Sequence, residues 1–146
     1  MFVPGKDRWG AGSGAGRKLL DGCFDGRMMW RSAAHVRVRE VPGVFVVQAC
    51  GEFDADEVDL LLAAWEEADE LALPTTVVDL TGCMFGDSSF LGALLIARSR
   101  HLASRRRLVL AGPLQPKILL LLAVSGTMEA FDVTENLAEA VNRGTA

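Results

Sequence analysis

The chain has 146 residues and a net charge of −4, and half of its residues are hydrophobic. This length suits one compact domain with its own core, and the composition excludes an intrinsically disordered chain. The acidic balance lacks the basic footprint of a nucleic-acid-binding protein, so we expect no nucleic-acid partner.

The cysteines and the apolar segments indicate a cellular compartment. Cys23, Cys50 and Cys83 are widely spaced and form no C-x-x-C motif, so we expect reduced thiols and neither a metal nor another cofactor. No basic leader followed by an apolar run opens the chain. No uncharged apolar segment approaches the roughly 18 to 20 residues that span a bilayer, so membrane insertion is not expected. These features predict a cytoplasmic protein.

Residues 1–33 are rich in Gly, Arg and Lys and show neither helical nor strand periodicity, which predicts a flexible N-terminal tail. The run GAGSGAGRK is not a nucleotide-binding loop, because no strand precedes it and Leu19 follows Arg17-Lys18 where a hydroxyl is needed. The large apolar residues of this tail can pack as a short segment, in a place that the sequence does not define: Trp9, Phe24, Met28, Met29 and Trp30.

A regular pattern begins at His35. The runs HVRVREV and VFVVQACG, separated by Pro42-Gly43, predict a β-hairpin. The following stretch, DADEVDLLLAAWEEADEL, has apolar residues at helical spacing, and Asp54 or Asp56 is well placed as its N-cap.

The remainder of the chain alternates between strand and helix patterns. TTVVDL and RLVLAG predict buried strands, and a helix is expected between them from Ser88 to about Ala103. Pro113 and Pro116 precede an apolar helix that ends at Gly126, which we expect to lie in the core. MEAFDV predicts a last short strand, and the final helix is expected over 135–142 with Thr134 as N-cap.

This alternation predicts a single α/β domain over 34–143, followed by a short C-terminal tail at 144–146. We expect a mixed, mainly parallel sheet of about five strands with about four helices. Ligand and partner sites in such folds gather at the carboxyl ends of the strands. Asp87-Ser88-Ser89 falls at such an end, just before a helix.

Asp87-Ser88-Ser89 permits more than one interpretation. Asp and Ser are preferred N-cap residues, so the motif can be a simple cap. Gly86-Asp87-Ser88 also resembles the motif of the Gly-Asp-Ser hydrolases, in which the serine is the nucleophile. A serine nucleophile needs a base within hydrogen-bond reach. His101 lies about 20 Å further along the same predicted helix, and His35 lies in the first strand. We therefore expect no catalytic residue and no enzymatic activity.

A third interpretation comes from a family resemblance. The segment DLTGCMFGDSSFLGALL, which starts at Asp79, resembles the signature D-L-S-x-V-x-F-x-D-S-S-G-L-G-x-L of STAS domains, the anti-sigma factor antagonists. Gly51-Glu52-Phe53-Asp54 resembles the family's G-E-L-D, and the segment 113–126 resembles its late helix. The resemblance covers about residues 35–142 and implies a STAS-like fold.

The resemblance also implies a function. Ser88 is expected to be phosphorylated by a serine kinase that is itself an anti-sigma factor and that supplies the ATP site. The unphosphorylated protein would bind this kinase and free a sigma factor, phosphorylation would release it, and a phosphatase would reset it. Asp54, Asp87, Ser89 and Phe90 are expected to contact the partner, and transcription would be regulated through these protein contacts alone.

Phe90 departs from the family pattern, which has Gly at this position. An exposed Phe90 would offer a large apolar contact to a partner or block one, whereas a Phe90 folded back would pack on the protein's own surface. An alternative function from the same resemblance is that of a non-switching structural or accessory subunit, in a stress-signalling assembly or on a lipid ABC transporter.

Overall fold

A computed structural model describes residues 34–145 of the chain, and for Thr145 the backbone only. The predicted tail and the glycine-rich run within it lie outside these residues. The strands are β1 (His35–Val41), β2 (Val44–Phe53), β3 (Thr75–Asp79), β4 (Cys83–Gly86), β5 (Arg107–Ala111) and β6 (Asp132–Thr134). The α-helices are α1 (Val58–Leu71), α2 (Ser88–Ala103), α3 (Pro116–Ser125) and α4 (Leu137–Thr145).

The strands form one mixed sheet in the order β1-β2-β3-β5-β6. Strands β1 and β2 pair antiparallel around the Pro42-Gly43 turn, with Val41 opposite Val44, which confirms the predicted hairpin. All other pairs are parallel, as the alternation of strands and helices requires. The predicted α/β architecture is therefore confirmed.

Strand β4 is not predicted by the sequence pattern. It pairs with the second half of β2, beyond the residues of β2 that pair with β3, and Phe53 lies opposite Gly86. Four residues between turns are too few to show the alternation of a strand, so the sequence pattern does not distinguish β4 from a loop. Strand β4 matters because it leads directly into Asp87.

The sheet separates two apolar clusters. Helices α1, α2 and α3 cover one face, where the larger cluster contains Phe45, Trp65, Leu94 and Leu110. Helix α4 covers the other face, where Ala140 packs with valines of β2, β3 and β5. The Trp65 indole N–H donates to the carbonyl of Ala93 at 2.9 Å, which links α1 to α2 inside the core.

Two helix starts differ from the prediction. Helix α1 begins at Val58 with Glu57 in the N-cap position, so neither Asp54 nor Asp56 caps it. The carboxylate of Asp54 instead accepts the backbone N–H of Asp56 at 2.9 Å, in a turn that delays the helix by one residue or more.

Helix α4 starts later and ends later than predicted. The side chain of Asn136 accepts the N–H of Glu139 at 2.8 Å, so Asn136 and not Thr134 acts as the cap. Thr134 is buried as the last residue of β6. The helix continues to Thr145, into the segment predicted as a C-terminal tail.

Helix α3 has the predicted stop signal, because Gly126 adopts a left-handed conformation with φ of 75°. Its burial corrects the prediction of a core helix. Ile118 and Leu122 are buried, whereas Leu119, Leu120 and Val124 are 43%, 62% and 76% exposed. The helix packs one side on the sheet and turns an apolar side outward.

Cys50 and Cys83, the cysteines within the described residues, have different environments. Cys83 is a buried free thiol whose pKa burial raises to about 12. The expectation of reduced thiols is wrong at Cys50, which is disulfide-bonded. Within residues 34–145 no group of His, Cys, Asp and Glu could hold a metal ion, and no helix there is long and apolar enough to cross a membrane.

Candidate functional site

The candidate site lies where β2 and β4 end side by side. Phe53 pairs with Gly86, and the N–H of Asp87 donates to the carbonyl of Phe53 at 3.3 Å. Asp54 and Asp87 therefore follow the ends of neighbouring parallel strands. The structure brings the residues predicted at 54 and at 87–89 to one edge of the sheet.

Asp87 is the N-cap of α2. Its backbone is extended, and one carboxylate oxygen accepts the N–H groups of Ser89 at 2.9 Å and Phe90 at 3.1 Å. These are donors that the first turn of a helix cannot satisfy internally. The cap interpretation of Asp87 is thus confirmed, and one oxygen of its carboxylate stabilises the start of α2.

The two serines after the cap differ in exposure. Ser88 occupies the first helical position and is exposed, whereas Ser89 is half-buried. The N-terminus of a helix carries a positive partial charge, so a negatively charged group on the Ser88 oxygen would sit in a favourable field. Of these two serines, Ser88 is therefore the more accessible to an approaching protein.

Phe90 is fully buried, which corrects the prediction that it contacts a partner. Its ring lies 5.8 Å from that of Phe53, centroid to centroid. A Cβ atom on Gly86 would come within 2.2 Å of the Phe90 ring, so only glycine fits beneath it. Phe90 packs on the protein's own core, where it fastens the first turn of α2 to the ends of β2 and β4.

Gly86 was not singled out in the sequence as a residue of the site. The available signal was the spacing of Gly86 and Phe90, four residues apart, together with a large ring where the family pattern has Gly. That signal is not sufficient by itself, because the third member of the contact, Phe53, is distant in sequence.

An acidic loop borders the site at the start of α1. Glu52, Asp54 and Asp56 are exposed, and the N–H of Asp54 donates to the Glu57 carboxylate at 3.4 Å. A side-chain hydrogen bond between Asp54 and Glu57 lowers the pKa of Asp54 and raises that of Glu57. The edge around Ser88 is therefore negatively charged on the β2 side at neutral pH.

His101 cannot act as a base for Ser88. Its Nδ1 lies 2.7 Å from the carbonyl oxygen of Ala97, and its Nε2 lies 2.7 Å from the hydroxyl of Thr76. Because a carbonyl oxygen can only accept, Nδ1 carries the proton and donates it, and Nε2 accepts from Thr76. Burial lowers the pKa of this imidazole. The ring is structural, and it lies about 20 Å along α2 from Ser88.

Comparison with known proteins adds a family and a set of similar folds. A family model described as Mlab, STAS domain matches residues 36–135. Comparison with curated protein sequences finds no match.

Similar folds occur among solved structures. An anti-sigma factor antagonist from Mycobacterium paratuberculosis is 22% identical with a TM-score of 0.67, covering 78% of this chain and 96% of its own. The anti-sigma factor antagonist SpoIIAA in its unphosphorylated form is 20% identical with a TM-score of 0.61, covering 78% and 99%. Bacillus SpoIIAA in its phosphorylated form is 23% identical with a TM-score of 0.58, covering 76% and 98%. These TM-scores show that the chain shares the fold of these proteins.

Proposed function

The chain belongs to the STAS domain family, and from this premise we propose that it is an anti-sigma factor antagonist switched by phosphorylation of Ser88. In this proposal the unphosphorylated protein binds a serine kinase that is also the anti-sigma factor, and so frees a sigma factor in the cytoplasm. Phosphorylation releases the kinase, and a phosphatase resets the cycle. The observation that carries the proposal is the exposed hydroxyl directly after the capping Asp87.

The phosphorylation step requires little of this chain beyond presentation of the hydroxyl. The Ser88 oxygen attacks the γ-phosphorus of the ATP held by the kinase, and a new O–P bond forms as the bond to ADP breaks. The hydroxyl proton passes to a base on the kinase. ATP and the catalytic groups belong to the partner.

The new charge would act on the surface and not on the core. A phosphoserine adds about −1.5 to −2 charges at neutral pH. At position 88 these charges meet the positive end of α2, but they also lie beside Asp87 and near the acidic loop that contains Asp54. A partner that tolerates the neutral serine would then face a concentrated negative patch, which weakens its binding.

The partner contacts that we propose are Asp54, Asp87, Ser88 and Ser89, without Phe90. Bacillus SpoIIAA, which has a similar fold, has been solved in a phosphorylated form, and this supports phosphorylation of a protein with such a fold.

The experiment is phosphorylation of the full chain by each candidate kinase with ATP, followed by intact mass spectrometry. We expect the mass of one phosphate on the parent and on Ser89→Ala, and no added phosphate on Ser88→Ala. Ser89→Ala is the matched control because it removes the neighbouring hydroxyl. Equal labelling of Ser88→Ala and the parent would refute Ser88 as the acceptor.

The second candidate function is that of a non-switching accessory subunit. The observation in its favour is that the matching family model has the description Mlab and not that of an anti-sigma factor antagonist. The same kinase experiment separates the two. Absence of phosphate on the parent with every co-encoded kinase, together with co-purification of the chain in a stable assembly, would favour the accessory subunit.

A further inference from the structure

Helix α3 presents an apolar face to solvent. Leu119, Leu120 and Val124 are exposed on the sides away from the buried Ile118 and Leu122. The helix, PKILLLLAVS, has Lys117 as its one charged residue. A helix that is apolar on all sides is normally enclosed, so this outward face is a candidate docking surface.

The size of the face favours an occupant that is already tethered. A ten-residue helix is about 15 Å long and about 10 Å wide, so its outward face offers on the order of 150 Å². A specific interface between separate proteins buries about 800 Å² on each partner. A segment of the same chain needs far less contact, because its effective concentration at the face is about millimolar.

Residues 24–30, the sequence FDGRMMW, have the composition of such a segment. They contain Phe24, Met28, Met29 and Trp30, which are large apolar residues in an otherwise glycine-rich and charged stretch. Residues 1–33 carry six basic and three acidic side chains, a net charge of +3, which leaves −7 for the rest of the chain. The opposite net charges of the two parts of the chain favour contact between them.

The point where this stretch joins the domain allows it to reach α3. His35, the first residue of β1, lies opposite Cys50, and the next residue of β2, Gly51, pairs with Cys83 of β4. Strand β1 therefore begins about 10 Å from β4, which is two strand spacings. The five residues from Trp30 to His35 span about 17 Å when extended, so their reach exceeds the distance to β4.

Helix α3 lies directly beside that strand. The ammonium of Lys117 lies 5.7 Å from the centroid of the Phe85 ring, and α3 packs along β4. We propose that residues 24–30 dock through Met28, Met29 and Trp30 on the outward face of α3, formed by Leu119, Leu120 and Val124. This contact does not depend on phosphorylation of Ser88.

The test uses tryptophan fluorescence of the full chain. Trp9→Phe leaves Trp30 as the reporter and Trp65, which is fully buried, as a constant background. We expect acrylamide to quench Trp30 weakly in this protein. Leu120→Asp with Val124→Asp should raise the Trp30 quenching constant severalfold, because charge on the face removes the apolar contact.

Leu102→Asp is the matched control, since Leu102 is 60% exposed on α2 and should leave quenching unchanged. Circular dichroism should show the same helix content in all variants because the changed side chains are exposed. Quenching that the two α3 substitutions do not alter would overturn the proposal. A dimer in sedimentation velocity that these substitutions dissociate would also overturn it, in favour of a second copy as the occupant.

Discussion

At the scale of single residues, the start of α2 depends on an exact fit between a glycine and an aromatic ring. Phe90 lies over Gly86 and against Phe53, so three residues from β2, β4 and α2 share one contact. Restoring the family's glycine at position 90 would remove the ring and leave a cavity. The departure at Phe90 is thus accommodated inside the fold, and its ring adds no apolar surface beside Ser88.

Two glycine substitutions are expected to have opposite effects on the free energy of unfolding. Gly86→Ala should lower the free energy of unfolding by about 1–3 kcal/mol, because its Cβ would overlap the Phe90 ring. Gly92→Ala, the control on the open side of α2, should raise it by about 0.5–1 kcal/mol through helix propensity. Urea denaturation of both proteins measures these changes. Equal stability of Gly86→Ala and the parent would exclude the tight contact.

Removal of the ring itself should cost more. Phe90→Ala is expected to lower the free energy of unfolding by about 3–5 kcal/mol, as for other buried aromatic residues. The matched control is Leu102→Ala on the exposed side of α2, which should change it little. A small effect of Phe90→Ala in the same denaturation experiment would indicate that Phe90 is accessible after all.

His101 predicts a dependence of stability on pH. Burial lowers its pKa, with Arg106 and Arg100 acting in the same direction and Asp69 and the Ala97 carbonyl opposing it. The unfolded chain therefore takes up a proton first as the pH falls through about 6.5, so the stability contributed by His101 is complete above that pH and declines below it. Urea denaturation at pH 7.5 and 5.5 should show the loss. His101→Gln should weaken this dependence, and an unchanged dependence in that variant would assign it to other groups.

At the scale of elements, helix starts are decided by which side chain reaches the free N–H groups. Asp87 caps α2, whereas Glu57 at the start of α1 makes no side-chain cap bond although two aspartates precede it. We expect Asp87→Ala to lower the free energy of unfolding by about 0.5–2 kcal/mol, and Asp87→Asn to preserve it because Asn caps equally well. Chemical denaturation compares the two. A loss in Asp87→Asn equal to that in Asp87→Ala would show that charge and not capping stabilises the helix start.

The sequence predicted the elements whose boundaries depend on local chemistry. Helix α2 has the predicted limits because Asp87 supplies a cap, and α3 ends at Gly126 because glycine adopts the left-handed conformation. Strand β4 escaped prediction because its four residues form a strand only beside β2. The outward side of α3 was predicted to be buried because an apolar pattern does not show which side of a helix another element covers.

Some features of the candidate site were also predictable from local sequence, and others were not. Asp87 and Ser88 were found from the motif, and the parallel strands place Asp54 beside them as expected for strand ends. The direction of Phe90 could not be predicted, because it depends on Phe53, which lies far away in the sequence. Local motifs thus indicate the serine that we propose as the acceptor, whereas long-range packing determines which neighbouring residues remain accessible to a partner.

At the scale of the whole molecule, the proposed switch changes a surface without changing the fold. Ser88 is exposed, and the packing of α2 begins with the buried Phe90. We expect the phosphorylated protein to keep the helix content of the parent in circular dichroism. Its backbone amide NMR shifts should change at residues 87–91 and in the loop 54–57, and not in β5 or β6. Loss of helix on stoichiometric phosphorylation would contradict this mechanism.

The tandem pairing of β2 has a consequence for local motion. The first half of β2 pairs with β3 and its second half with β4, so β4 forms a separate short partner held by three residue pairs. Such a unit opens at a lower free energy than the whole domain. Strand β4 and the first turn of α2 can therefore loosen together while β1, β3 and β5 stay paired. Ser88, the proposed acceptor, thus lies just after a strand that can open without separating the rest of the sheet.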